Sequence, residues 1–135
     1  MEKSVGGVIV KDGKVVVVKQ QKGTFSLPKG HLEGDERLID TAYREIYEET
    51  GLKKEDLKLI RPLESYTRPD GKTGNPKEIS MFLFSTDKSD LNPIDKDNPE
   101  AVWIDIDQVY EKLSYKEDKE FFLKHKKEFK NLIKK

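Results

Sequence analysis

The chain has 135 residues, 26 of them Lys or Arg and 26 Asp or Glu, for a formal net charge of zero; 34% are hydrophobic and 39% charged. That length suits one domain, spanning residues 1–135, with a single core, and the charge balance argues against the global basic excess of a duplex nucleic-acid binder. Cysteine is absent, which excludes disulfides and thiol chemistry, and no apolar run approaches the ~20 residues of a membrane helix.

Met1-Glu2-Lys3-Ser4 leads straight into an apolar run without a signal-peptide layout, so a cytoplasmic protein is expected. Ser4–Val10 and Val15–Gln20 are valine-rich and flank Lys11-Asp12-Gly13-Lys14; an Asp-Gly pair between β-branched runs predicts a hairpin. Phe25–Leu27 reads as a short extended piece, Pro28 interrupts it, and Lys29–Gly34 reads as a loop. A helix is predicted from Asp35, whose carboxylate can cap the first N–H groups. Leu38, Ile39, Ala42 and Ile46 form its buried stripe, and Gly51 its left-handed C-terminal cap. Leu57–Arg68 reads as one long or bent strand and Pro69–Lys77 as a mobile loop. Ile79–Ser85 and Val102–Ile106 are further strands, and Gln108–Leu113 a short helix. From Lys116 an amphipathic helix puts Phe121, Phe122, His125, Phe129, Leu132 and Ile133 on one face. Its eight lysines and four acids through Lys135 read as a solvated surface, with polyphosphate or RNA contact as the alternative.

The stretch Gly30–Leu52, GHLEGDERLIDTAYREIYEETGL, carries the chemistry. Glu45, Glu48 and Glu49 stand at i, i+3 and i+4, which places three carboxylates on one helix face. Arg44, one turn before Glu48, is their only obvious local partner. Taken alone, three acids at this spacing are usually a solvated face. The other reading is a seat for a hard divalent cation, which prefers oxygen ligands.

The full pattern resembles the Nudix box: Gly30, five residues, Glu36, seven residues, Arg44-Glu45-Ile46, one residue, Glu48-Glu49, one residue, Gly51-Leu52. The resemblance implies an α+β fold, an α/β/α sandwich with a central mixed β-sheet and a loop–helix–loop catalytic segment. It implies a hydrolase that cuts a pyrophosphate bond in a nucleoside diphosphate-linked substrate. By the same resemblance Glu45, Glu48 and Glu49 bind Mg²⁺ or Mn²⁺, with the Lys29 carbonyl as a further ligand. Glu48 or Glu49 can instead act as general base, and Arg44 orients a carboxylate. Gly30, Glu36 and Gly51 hold the shape of the segment.

Within that family, Leu27-Pro28-Lys29-Gly30-His31, Asn75-Pro76-Lys77 and Tyr115-Lys116 are similar to segments of the asymmetrical diadenosine tetraphosphate hydrolases. That likeness implies cleavage of diadenosine tetraphosphate to ATP and AMP, with Lys77 and Lys116 toward phosphate and Tyr115 or Tyr66 stacking on adenine. The subfamily's additional metal-binding glutamate falls at Asp97, one methylene shorter, with Glu100 nearby. Two other enzyme readings stay open: pyrophosphohydrolysis of nucleoside triphosphates, including oxidised ones, and removal of pyrophosphate from an RNA 5′ end. A non-catalytic nucleotide-binding module is a reading of another class, one expected to have lost box carboxylates that all stand here. The expected partner is a small nucleotide, with no membrane association; oligomeric state is not legible.

Overall fold

The Asp-Gly hairpin forms where the sequence predicts it. Strand β1 (Glu2–Lys11) turns into β2 (Lys14–Lys19) with Lys11 opposite Lys14. Asp12 and Gly13 take the two positive φ values, 47° and 81°, that a two-residue primed turn demands. In the computed structural model, which describes residues 1–94 and 100–132, there follow β3 (Phe25–Ser26), β4 (Lys29–His31) and helix α1 (Leu38–Thr50). A 3-10 turn at Lys54–Asp56 leads to β5 (Leu57–Pro62), β6 (Tyr66–Pro69) and β7 (Pro76–Thr86). The chain closes with β8 (Glu100–Asp105), α2 (Ile106–Lys112) and α3 (Lys116–Asn131).

Among the described residues all eight strands join one mixed sheet, with the path β3-β2-β1-β7-β5, β4 beside β1, β6 beside β7 and β8 beside β2. The β1–β7 pair is parallel, from Glu2 opposite Lys77 to Val10 opposite Ser85; the other pairs are antiparallel. Helix α1 covers one face, where Ala42 and Ile46 meet Val5, Ile9, Val16 and Phe84. Helices α2 and α3 cover the other, where Val109, Phe122 and Phe129 meet Val8, Val10, Val15 and Met81. A strand covered on both faces needs no polar side, which is why Val15–Val18 are all buried. The α/β/α sandwich expected above is therefore present.

Several boundaries differ from the sequence reading. Lys29–His31 is a strand, not loop, because it pairs with Ser4–Gly6 on β1. Helix α1 starts at Leu38, and Asp35 does not cap it: the N-cap is Arg37, with no side-chain cap bond. Gly34, at φ 51°, turns the chain, and the Glu36 N–H bonds back to the Glu33 carbonyl. That late start leaves Leu38 39% exposed rather than in the buried stripe. Leu57–Arg68 is two strands, β5 and β6, broken at Leu63–Ser65 where the Leu63 N–H returns to the Met81 carbonyl. Residues 70–75 form a hydrogen-bonded turn, with Asp70 accepting from the N–H groups of Lys72 and Thr73. Ile106 opens α2 instead of closing β8. Phe121, Phe122 and Phe129 lie buried on one face of α3 as expected, whereas Ile133 and Asp97 lie outside the described residues. No described helix is long and apolar enough to cross a membrane.

Candidate active site

Helix α1 is held against the sheet by Ala42 and Ile46 and ends at Gly51, whose N–H reaches the Tyr47 carbonyl at φ 81°. Its preceding loop is fastened by one carboxylate. Glu36 accepts from the Glu33 N–H (3.1 Å), the Thr41 hydroxyl (3.0 Å), Arg44 Nε (2.7 Å) and Arg44 Nη2 (3.0 Å). The Arg44 bond in particular pulls the Glu36 carboxyl down to about 2. Arg44 Nη2 also donates to the His31 carbonyl at 2.9 Å, so loop and helix are locked as one body.

The remaining nitrogen, Arg44 Nη1, lies among carboxylates: 2.8 Å from Glu45 Oε2, 3.4 Å from Glu48 and 3.5 Å from Glu33. Glu45 and Glu49 are each only 8% exposed. Burial pushes the Glu45 carboxyl up, and the Glu48 charge adds to this while Arg44 opposes it. Glu49 accepts the Lys29 N–H at 3.1 Å. Gly30 lies against the Glu45 carboxyl so closely that a Cβ would fall 2.0 Å from its carbon. Only glycine leaves that space. Among the described residues no three acids or imidazoles close round a single point; Arg44 Nη1 bonds a Glu45 oxygen and the Lys29 N–H a Glu49 oxygen. The donor set nonetheless fits a hard divalent cation: two buried carboxylates, Glu45 and Glu49, beside the partly exposed Glu48, facing a cleft, with the room a side chain at residue 30 would take.

That cleft has a volume of about 390 Å³. Glu45, Glu48 and Glu49 line it on one side, and Lys29 and Gly30 of β4 lie between them and the far side. The far side is basic: Lys22, Arg68, Lys72 and Lys77, with Tyr115 from the start of α3. Lys77 Nζ is 3.2 Å from Asp70, whose carboxyl the N–H groups of Thr73 and Lys72 hold well below its usual range. Burial pushes the Lys29 ammonium down to about 8; Arg68 and Lys77 add to this, and Asp118 and Glu49 oppose it. Like charges gathered at one wall of a cleft make an anion-receiving surface.

Of the residues singled out by sequence, the cleft brings together Lys29, Gly30, Glu45, Glu48, Glu49, Lys77 and Tyr115. Glu36, Arg44 and Gly51 stand behind it as supports. Tyr66 and Lys116 are not on its wall. The Tyr66 ring stacks on Phe121 at 4.5 Å between centroids, and its hydroxyl donates to Asp118 at 2.5 Å, so it is packing between β6 and α3. Lys116 is exposed on the first turn of α3. Sequence reasoning missed Lys22, Arg68, Asp70 and Lys72. A hairpin reading of Tyr66–Pro69 against the strand that follows would have put Arg68 opposite Lys77, its actual register.

A family model described as the NUDIX domain matches residues 2–125. Phosphatase NudJ of Escherichia coli is 31% identical over 112 residues, covering 78% of this chain and 69% of that protein. Among solved structures, a C. elegans Ap4A hydrolase binary complex superposes with a TM-score of 0.83 at 20% identity, over 97% of this chain and 99% of that one. The E. coli dihydroneopterin triphosphate pyrophosphohydrolase gives 0.76 at 14% identity, over 90% and 92%.

Proposed function

The chain belongs to the NUDIX family, acting on pyrophosphate bonds, and from that premise we propose that it cuts diadenosine tetraphosphate asymmetrically to ATP and AMP with Mg²⁺ or Mn²⁺. The observation that carries this reading is the division of one cleft between carboxylates on α1 and cations on β4, β6 and β7. A phosphate chain laid across it meets acids where hydrolysis is to occur and bases where unreacted phosphates must be held. The likeness in shape to the C. elegans Ap4A hydrolase, over nearly all of both chains, supports the dinucleotide.

Glu45, Glu48 and Glu49 hold the metal in this reading, with the Lys29 carbonyl beside them. When bound, the metal lowers the pKa of the attacking water and neutralises charge on the phosphoryl oxygens. Glu48 or Glu49, instead of holding the metal, accepts the water's proton as the new P–O bond forms and the bridging P–O bond breaks. Arg44 keeps Glu45 and Glu48 oriented from behind. Lys77 neutralises a distal phosphate, and Tyr115 takes a base.

A second substrate, a nucleoside triphosphate, is favoured by one observation: with Tyr66 in the packing, Tyr115 is the one tyrosine on the cleft wall among the described residues, and a dinucleotide offers two bases. Incubation with diadenosine tetraphosphate and Mg²⁺, and separately with mixed nucleoside triphosphates, decides between them by chromatography of the products. ATP plus AMP, abolished by a chelator, is the expected result. An intact dinucleotide with triphosphates cut to monophosphates would replace it with the second substrate.

A further inference from the structure

Arg68 is 4% exposed yet forms part of the cleft wall. Its guanidinium carbon lies 3.9 Å from the centre of the Tyr115 ring, so the cation covers one face of that ring. Nε is 3.3 Å from Asp118 Oδ1, an ion-pair distance without hydrogen-bond direction, and Nη1 donates to the Pro69 carbonyl at 3.1 Å. Arg68 Nε and Asp118 Oδ2 are buried with no hydrogen-bond partner among the described residues. Asp118 is 1% exposed and is itself fixed by the Tyr66 hydroxyl.

A guanidinium is a planar fork of N–H donors suited to two oxygens of one phosphate. Here that fork is buried and pinned by α3, and among the described residues the Pro69 carbonyl is its one hydrogen-bond acceptor. Lys29 and Lys77 share its wall of the cleft, and the carboxylates beside these three cations are Asp70, Asp118 and, next to Lys29, Glu49. Nε is turned to Asp118, and of the four N–H groups on Nη1 and Nη2 the Pro69 carbonyl takes one, so donors remain for an anion at the cleft wall.

We propose that Arg68 is a substrate-binding residue with two tasks: its Nη N–H groups take a phosphate of the chain, and its plane backs Tyr115 so that only the opposite ring face receives the base. This rests on the nucleotide reading above. It makes the base platform a three-layer stack of guanidinium, tyrosine and nucleobase.

The test is calorimetry on the full chain in chelating buffer, where no hydrolysis intervenes, with inorganic tripolyphosphate and with ATP as titrants. Arg68→Met is expected to weaken both about tenfold, the scale of one charge-assisted contact. Arg68→Lys keeps the charge but not the plane, so tripolyphosphate should stay within about threefold while ATP weakens about fivefold. Tyr115→Ala should weaken ATP about tenfold and leave tripolyphosphate unchanged, since stacking acts on the base. Thermal melts establish that each variant is folded. A folded Arg68→Met that binds tripolyphosphate like the unaltered chain overturns the proposal. So does an unaltered chain that binds no tripolyphosphate. If Arg68→Met does not fold, Arg68→Lys decides: unchanged binding of ATP overturns the platform. These readouts are independent of which bond is cut, so diadenosine tetraphosphate left intact would discard the substrate and leave the role of Arg68 standing.

Discussion

Glu36 is one acid in a crowd of acids, and its partners make it structural. Its folded carboxyl lies at about 2 against an ordinary 4.5, so the Arg44–Glu36 contact stabilises the fold fully above pH 4.5. That stabilisation is lost as the pH falls toward 2. The melting temperature should therefore drop across this window, and Glu36→Gln should begin lower and fall less steeply. Glu48 and Glu49, by contrast, face the cleft. Glu48→Gln and Glu49→Gln should each cut turnover by about 100-fold or more, as loss of a group acting in the transition state does. Their melting temperatures should stay close to that of the parent, and near-normal turnover in both would sink the metal-site assignment. Gly30→Ala should act through Glu45, because the new methyl would fall on its carboxyl group. A Mn²⁺ titration followed by magnetic resonance should show weakened binding although no carboxylate has been removed. The box residues were legible because a helix makes i, i+3 and i+4 neighbours without help from the rest of the chain. Arg68 was not, since its position depends on a strand register and on a helix that arrives some fifty residues later.

At the scale of elements, α1 is fastened at both ends by contacts from outside it. At its C-terminal end Gly51 meets the backbone of Asn92, whose N–H donates to the Thr50 carbonyl at 2.8 Å. A Cβ on Gly51 would fall 2.3 Å from the Asn92 carbonyl oxygen, in addition to the strain of a left-handed φ. Gly51→Ala should cost about 1–3 kcal/mol from the backbone strain alone, read as a lowered urea midpoint. Helix α3 is fastened by its aromatic face, with Phe122 and Phe129 buried and their rings 5.3 Å apart. Its hydrophobic face was readable because helical periodicity survives a lysine-rich composition. The break between β5 and β6 had one local mark, Pro62 at the end of β5, but Leu63–Ser65 itself carries no glycine or proline and was read through as strand.

For the whole molecule, the sandwich and its order of elements followed from the family resemblance, while the partition of the cleft into acidic and basic sides did not. The net charge of zero conceals it, because composition averages the two sides that the fold separates. The sheet has a further consequence for the chain's synthesis. The strands that flank the first hairpin are β7 and β8, Pro76–Thr86 and Glu100–Asp105, which leave a ribosome last among the strands. Until then the four valines of Val15–Val18 lie in an open half-sheet, a segment of high β-propensity with exposed edges. Lys11, Lys14 and Lys19 bracket the two strands of that hairpin. In the finished protein they are ordinary surface charges; on the nascent chain they are gatekeepers, holding one unfinished copy away from the next.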